Sequence, residues 1–409
     1  MTSGRVLAIV QAGGQGGRMD VLTRERAKPA LPFAGVYQLI DFSLSNASHS
    51  GIRDVWLSVQ FQGSTLEEEV ANGRPWDLDA TRGGLRLLMP QEGTGSMDED
   101  GFAKGNADEL FRIRDQVSAF DPEAVVVMSA DHVYRFDFRE ALATHRRTGA
   151  ECTVVTTTVD IEEAGEHATV EAGADGIVTR FDYKPDEPAT DVVATEVFVY
   201  DPAVLREVLE ELHHELTQDA DQGDTGLGDF GEHLLPRLVG RGKVLAHPMP
   251  GYWRDLGQPH LYLRAHRDVL ADDVDVLDVP TWPILTRSPQ RRAARVVEGG
   301  ELVDSLVSPG TLVAGRVVRS VLGPGVVVES GAQVSDSVVF RDTRVQAGAR
   351  VDWSIIDARC VIGPEAVVGA PDARGFDDSD QVTLVGSDST VGVGVHLAAG
   401  ARLEPGSTA

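Results

Sequence analysis

The sequence predicts an α/β protein in which a mostly parallel sheet with flanking helices is followed by a parallel β-helix. Three observations carry that expectation. The run Val6-Leu7-Ala8-Ile9-Val10 is short and wholly aliphatic, as a strand buried on both faces of a parallel sheet must be. Val125-Val126-Val127-Met128 repeats that pattern and reads as a second central strand. Beyond residue 296 helix signals vanish. Apolar residues then recur six apart: Leu322, Val328, Val334 and Phe340, next Val345 and Val351, then Val361 and Val367. A sixfold beat marks hexapeptide rungs stacked into a solenoid, whereas hairpins would alternate by two. The resets near 340–345 and 351–361 are expected to be slipped or looped rungs, with 391–403 forming a last one.

Composition narrows the function. The 409 residues suffice for two or three domains. No apolar run approaches the ~20 residues of a membrane helix, and no signal-peptide layout opens the chain, so a cytoplasmic protein without membrane contact is expected. Cys152 and Cys360 are far apart and lack His neighbours at ligand spacing, which indicates neither a disulfide framework nor a zinc site. A net charge of −27 disfavours nucleic-acid partners. An anionic substrate must therefore meet a locally basic pocket.

The N-terminus offers one. After the first strand come Gly13, Gly14, Gly16 and Gly17, whose backbone can lie against a ligand with its N–H groups facing phosphate oxygens. Arg18 adds a planar donor fork, and Lys28 a mobile point charge. Five cations (Arg5, Arg18, Arg24, Arg26, Lys28) against two acids (Asp20, Glu25) make this stretch positive. The order Gly-Gly-Gln-Gly-Gly-Arg is neither the Walker pattern nor the dinucleotide fingerprint.

Further along, Asp54–Val59 reads as a strand and 64–71 as a helix, with 72–105 as a long loop region. Asn106 is a plausible cap for the helix after Gly105. The strand at 125–128 delivers Ser129-Ala130-Asp131-His132-Val133-Tyr134 at its carboxyl end, where open α/β sheets bind ligands. Glu140–Arg147 and Pro202–Leu216 read as helices, and Cys152–Thr158 and Val192–Tyr200 as strands. Residues 271–295, with Trp282-Pro283-Ile284, read as a linker.

With Arg26-Ala27-Lys28-Pro29, Leu39-Ile40-Asp41-Phe42-Ser43 and Tyr252-Trp253-Arg254-Asp255-Leu256-Gly257, the chain resembles the sugar-phosphate nucleotidyltransferases, and most closely the glucose-1-phosphate adenylyltransferases. The resemblance implies a Rossmann-like nucleotidyltransferase domain over 1–270 and a left-handed β-helix over 296–409. It implies that ATP and a sugar-1-phosphate are the substrates and that Mg²⁺ is held by Asp131 and Asp255. It assigns Arg18, Lys28 and Asp131 to catalysis, and Gly13, Gly14, Gly16, Gln91 and Gly105 to the nucleotide. Lys184 would hold the sugar phosphate. It further implies a homotetramer under allosteric control, serving glycogen or α-glucan synthesis.

The sugar side departs from the family. Tyr183 stands where the family has Glu, Ala168 replaces a Gly, and Ala194-Thr195-Glu196 replaces Ser-x-Gly. Ala103 replaces a tyrosine. Three readings follow: an adenylyltransferase on glucose-1-phosphate with a pocket rebuilt around Tyr183 and Glu196, an enzyme for another sugar-1-phosphate, and a catalytically weak subunit. Retention of Asp131, Asp255, Lys28 and Lys184 together argues against the third, because a non-catalytic subunit has no chemical use for them.

Overall fold

The computed structural model describes residues 5–14, 16–89, 103–217, 225–271, 274–371 and 379–409. In chain order the strands before the solenoid are β1 (Val6–Ala12), β2 (Pro32–Phe33), β3 (Tyr37–Gln38), β4 (Asp54–Val59), β5 (Gly84–Leu88), β6 (Ala124–Ser129) and β7 (His132–Tyr134). They continue with β8 (Cys152–Thr158), β9 (Ala168–Ala172), β10 (Val178–Tyr183), β11 (Val192–Tyr200), β12 (Val244–Pro248) and β13 (Trp253–Asp255). The helices are α1 (Leu39–His49), α2 (Gly63–Val70), α3 (Asn106–Phe120), α4 (Phe138–Thr148), α5 (Ile161–Ala164), α6 (Pro202–Leu216), α7 (Leu234–Gly240) and α8 (Pro259–Leu270).

The chain divides into two compact units that do not follow sequence order. The first comprises Met1–Gly14, Ser43–Ala130 and Tyr134–Trp253; the second comprises Gln15–Phe42, Asp131–Val133 and Arg254–Ala409. In the first unit, β1 lies between β4 and β6 and runs parallel to both. Beyond β6 the sheet becomes mixed, because β11 is antiparallel to β6 and to β8. Strand β1 buries Leu7 to Val10 completely, as its uniform aliphatic sequence requires. Aspartates cap α4 and α6: Asp137 accepts from the amide of Arg139, and Asp201 from those of Ala203 and Val204, which satisfies amides the first turn leaves unpaired.

Two local expectations are corrected. Residues 72–105 are not one loop region, since β5 pairs parallel with β4 along the sheet edge and a 3₁₀ turn spans Ala71–Trp76. Strand β5 is hard to read because its edge position leaves it only half buried. Nor does Asn106 cap α3. Gly105 holds the N-cap position, while the Asn106 side-chain oxygen accepts from the amide of Phe230 at 2.5 Å.

In the second unit the solenoid is three six-stranded sheets, all parallel. Its buried interior is lined by Leu322, Val328, Val334, Val339, Val345, Val351, Ile356, Ile362 and Val368. Their spacings run six, six, five, which gives a 17-residue coil. The resets at 340–345 and 351–361 are therefore regular five-residue sides rather than slipped or looped rungs. On these sides Val339 takes the strand position beside Phe340, and on the coil at 361–368 Ile362 and Val368 are fully buried where Val361 and Val367 are only partly so. The true insertion falls after Val368, since the next interior residue is Val385. Strands at Thr390–Val391, His396–Leu397 and Arg402–Leu403 form the expected final coil. Asp304, Arg319, Asp336 and Trp353 take φ of 44 to 49° at the same corner of successive coils. That conformation is costly for residues with a Cβ. At this corner the Asp336 carboxylate binds both nitrogens of the Arg319 fork, at 2.9 and 2.6 Å.

Among the described residues no helix is long and apolar enough to cross a membrane. Both cysteines are free and buried.

Candidate active site

The site in the second unit is built on short irregular backbone. Of the four loop glycines only Gly16 has positive φ, at 67°. A Cβ there would press on Thr23 and Lys28 at 3.1 to 3.2 Å, so glycine is required twice over. Thr23 donates its hydroxyl to the Gly16 carbonyl at 2.8 Å, tying the loop to the 3₁₀ turn Gly17–Thr23 that carries Arg18. A second 3₁₀ turn, Lys28–Ala30, has Pro29 inside it, where a missing N–H costs nothing.

Downstream of Lys28 the chain is held by an aromatic knot. The Phe33 ring meets Phe42 and His266 at centroid distances of 5.6 and 4.6 Å, and the Ala34 amide donates to His266 Nε2 at 3.1 Å. His266 Nδ1 donates to the Tyr262 carbonyl at 2.8 Å. Burial pushes the His266 pKa down to about 4, so the ring is neutral with both nitrogens committed.

Strand β6 ends just before Asp131, and β7 pairs with β13, so Asp131, His132 and Asp255 converge. Lys28, 8% exposed, places its Nζ in an ion pair with Asp131 and 3.5 Å from Asp255. Burial by itself lowers the Lys28 pKa, but the two carboxylates outweigh it and Arg18 only partly opposes them, leaving the pKa above the ordinary lysine value. The ammonium is thus charged at any physiological pH. Arg18 is close by: a Cβ on Gly257 would meet its guanidinium at 3.4 Å and the Asp255 carboxylate at 3.3 Å.

Asp131, His132 and Asp255 each offer a ligand atom, all within 4.8 Å of one another. A group of this kind could hold a divalent ion, and hard carboxylate oxygens suit Mg²⁺. His132 was not singled out from the sequence. It is 3% exposed and its Nε2 lies 3.7 and 3.6 Å from the two carboxylates; the signal was its place beside Asp131 at a strand end.

The other residues singled out in the sequence lie in the first unit. Gly14 is exposed with open space where a side chain would be, whereas a Cβ on Gly13 would meet the Gln60 amide at 2.7 Å and Glu109 at 3.0 Å. Glu109 gave no signal in the sequence. It is 4% exposed, and burial pushes its pKa up to about 7, although Ser58, Gln60 and Gln11 pull it down. Gly105 lies directly on the backbone of Gly228, whose carbonyl accepts from Ala107 at 3.2 Å. The Ala103 amide donates to Gln60 at 3.0 Å. Gln91 lies outside the described residues.

On the sugar side, Tyr183 pairs with Ala168 across β10 and β9. Its hydroxyl donates to Asp229 at 3.0 Å and its ring packs edge-on against Phe230 at 5.9 Å. Burial raises its pKa, and Asp229, Glu196 and Glu232 add to the effect. Lys184, exposed with φ 47°, has its ammonium 5.2 Å from the Tyr183 ring centroid. Ala194 is buried in β11, just before an irregularity where Glu196 takes φ 57°.

Residues 7–272 match the nucleotidyl transferase family model. The chain belongs to that family. Residues 292–386 match the GlmU-like C-terminal hexapeptide model, which agrees with a left-handed β-helix. The chain is 35% identical over 413 residues to the glucose-1-phosphate adenylyltransferase of Thermomicrobium roseum, covering 98% of this chain and 93% of that protein. It is 30% identical to the protein of that name from Acetivibrio thermocellus, covering 99% and 94%, and 33% identical to that from Clostridium perfringens strain 13, covering 83% and 84%. This nucleotidyltransferase therefore resembles those enzymes along both its sheet and its β-helix.

Proposed function

We propose that this nucleotidyltransferase moves the adenylyl group of ATP to glucose-1-phosphate, giving ADP-glucose and pyrophosphate. What carries the reading is the Lys28 ammonium seated between Asp131 and Asp255, in a chain similar nearly end to end to enzymes so named. An oxygen of the sugar phosphate attacks the α-phosphorus, the bond from that phosphorus to the bridging oxygen of the β-phosphate breaks, and the electron pair leaves with pyrophosphate. The barrier comes chiefly from bringing two polyanions into line, so fixed charge and orientation should supply the catalysis.

Charged Lys28 and Arg18 face the triphosphate and balance charge on the leaving pyrophosphate. Gly13, Gly14, Gly16 and Gly105 are the proposed nucleotide contacts, glycines that let a backbone approach a phosphate. Asp131 and Asp255 would hold Mg²⁺, with His132 alongside. When bound, the ion neutralises phosphate oxygens and orients the α-phosphate. Lys184 receives the phosphate of the sugar, and Tyr183, Glu196, Ala168 and Ala194 are the proposed sugar-side residues.

The test is pyrophosphate release over a matrix of nucleoside triphosphates and sugar-1-phosphates with Mg²⁺. Turnover with ATP and glucose-1-phosphate is expected, and its absence with that pair would sink the proposal. A second reading, another sugar-1-phosphate, is favoured by the Tyr183–Asp229 hydrogen bond in place of a free carboxylate; turnover with a different sugar alone would establish it. We also propose a cytoplasmic homotetramer under metabolite control that feeds α-glucan synthesis. Gel filtration with light scattering checks the tetramer.

A further inference from the structure

The loop that carries Arg18 and Lys28 has little regular structure of its own, and every charged residue between them reaches the β-helix. Arg26 makes a two-pronged pair with Asp357, at 2.9 and 3.2 Å. Asp20 accepts from Arg402 at 3.0 Å, Arg24 lies 3.4 Å from Glu404, and Glu25 accepts from the Ser387 hydroxyl at 3.1 Å. These contacts are unequal. The Arg24 pair is exposed on both sides and holds little.

The Arg26 pair is different. Its side chains are 17% and 3% exposed, the Arg26 guanidinium also lies 5.6 Å from the Phe340 ring centroid, and Asp357 accepts from the Ala358 amide at 2.6 Å. A carboxylate so fixed accepts both prongs of a planar fork in one orientation only. Arg402 is pinned likewise, donating to the carbonyls of Gly400 at 2.7 Å and Ser379 at 2.9 Å. Its partner Asp20 takes φ 54°, a conformation that persists only where the surroundings impose it.

We propose that Asp357 is a positioning residue for nucleotidyl transfer: by clamping Arg26, two residues before Lys28, it sets where the ammonium stands relative to Asp131 and Asp255. The β-helix thereby takes part in catalysis without touching substrate. Its outer face supplies the upstream anchor of the loop, as the Phe33–His266 knot supplies the downstream one. This inference rests on the role given above to Lys28.

The experiment compares full-length wild type, Asp357→Asn, Asp357→Glu and Arg26→Lys by steady-state pyrophosphate release, with melting temperatures recorded alongside. Asp357→Asn keeps the shape and removes the charge. We expect its kcat to fall about 10- to 100-fold, as a displaced catalytic group does, with KM for both substrates changed less than about threefold. Asp357→Glu should recover part of that loss. A kcat for Asp357→Asn within about twofold of wild type overturns the proposal, as does a loss that merely follows the unfolded fraction. Should Asp357→Asn fail to fold, Arg26→Lys decides: it keeps the charge and loses the fork, and a kcat within about twofold of wild type overturns the proposal there. An inactive wild type would instead strike the proposed reaction itself.

Discussion

Two clusters of carboxylates in this molecule are neutralised in opposite ways. Asp131 and Asp255 share the buried ammonium of Lys28, whereas Asp229 meets the phenol of Tyr183, with Glu196 and Glu232 near enough to raise that phenol's pKa and Lys184 exposed over the ring. In the first cluster the two carboxylates hold the buried ammonium charged. The second leaves its lysine exposed and so available to an incoming anion. Under the proposed reaction, the buried cation is committed to protein carboxylates before substrate arrives, whereas the exposed one waits for the sugar phosphate.

The comparison breaks most sharply at Asp131. Asp131→Asn leaves Lys28 with one anionic partner and takes an oxygen ligand from the proposed Mg²⁺ site. Turnover should fall by about 10³-fold or more, the scale seen when a fixed charge facing the transition state is lost. The fold should survive, because Asn matches the shape and Asp255 still pairs with Lys28. Pyrophosphate release beside a thermal melt checks both parts, and activity within tenfold of wild type would remove the metal assignment.

How much of this was legible beforehand follows the same division. That Asp131, Asp255, Lys28 and Arg18 come together was legible because each sits in a short contiguous motif. The hexapeptide beat could be read because every coil repeats the same burial, although its five-residue side was mistaken for irregularity. Glu109 and the Arg26–Asp357 pair could not be read: the latter joins residues 331 apart, and nothing local distinguishes a buried pairing from a solvated charge. The positive charge of the N-terminal stretch misled in part. Arg5, Arg24 and Arg26 are engaged by Asp54, Glu404 and Asp357, so the stretch brings fewer unengaged cations to a ligand than its composition implies.

The next largest effect is expected at Glu109, a buried carboxyl. Glu109 Oε1 is buried and has no hydrogen-bond partner among the described residues, and its pKa is pushed up to about 7 from 4.5. The native state therefore holds a proton between those pH values that the unfolded chain releases, so this group's contribution to stability is full below about pH 4.5 and is lost as pH rises through 7. Glu109→Gln, neutral throughout, should be more stable than wild type above pH 7 by about 3 kcal/mol, with the gap closing toward pH 4.5. Urea unfolding at pH 5 and pH 8 measures it; a gap independent of pH would show that Glu109 stays ionised without a cation.

Smaller effects belong to the sugar side. Lys184→Met removes the exposed cation and should lower kcat/KM for the sugar phosphate about 10- to 100-fold, the value of a charge-assisted hydrogen bond, mostly through KM. Equal losses in KM for ATP and for the sugar phosphate would place Lys184 elsewhere.

Tyr183→Phe should do least. The phenol is partly solvated, so its bond to Asp229 is worth about 1 kcal/mol, and the ring contacts with Phe230 remain. If Tyr183 only orients Asp229, the change appears as a three- to tenfold rise in KM for the sugar phosphate, since a misdirected carboxylate meets sugar hydroxyls poorly. If instead the phenol takes the place of a sugar-binding carboxylate, its loss also alters the ranking of sugar-1-phosphates, because a site built to hydrogen-bond one hydroxyl discriminates against sugars lacking it. The KM ratio between glucose-1-phosphate and galactose-1-phosphate separates the two. A ratio unchanged by Tyr183→Phe would show that the phenol only orients Asp229.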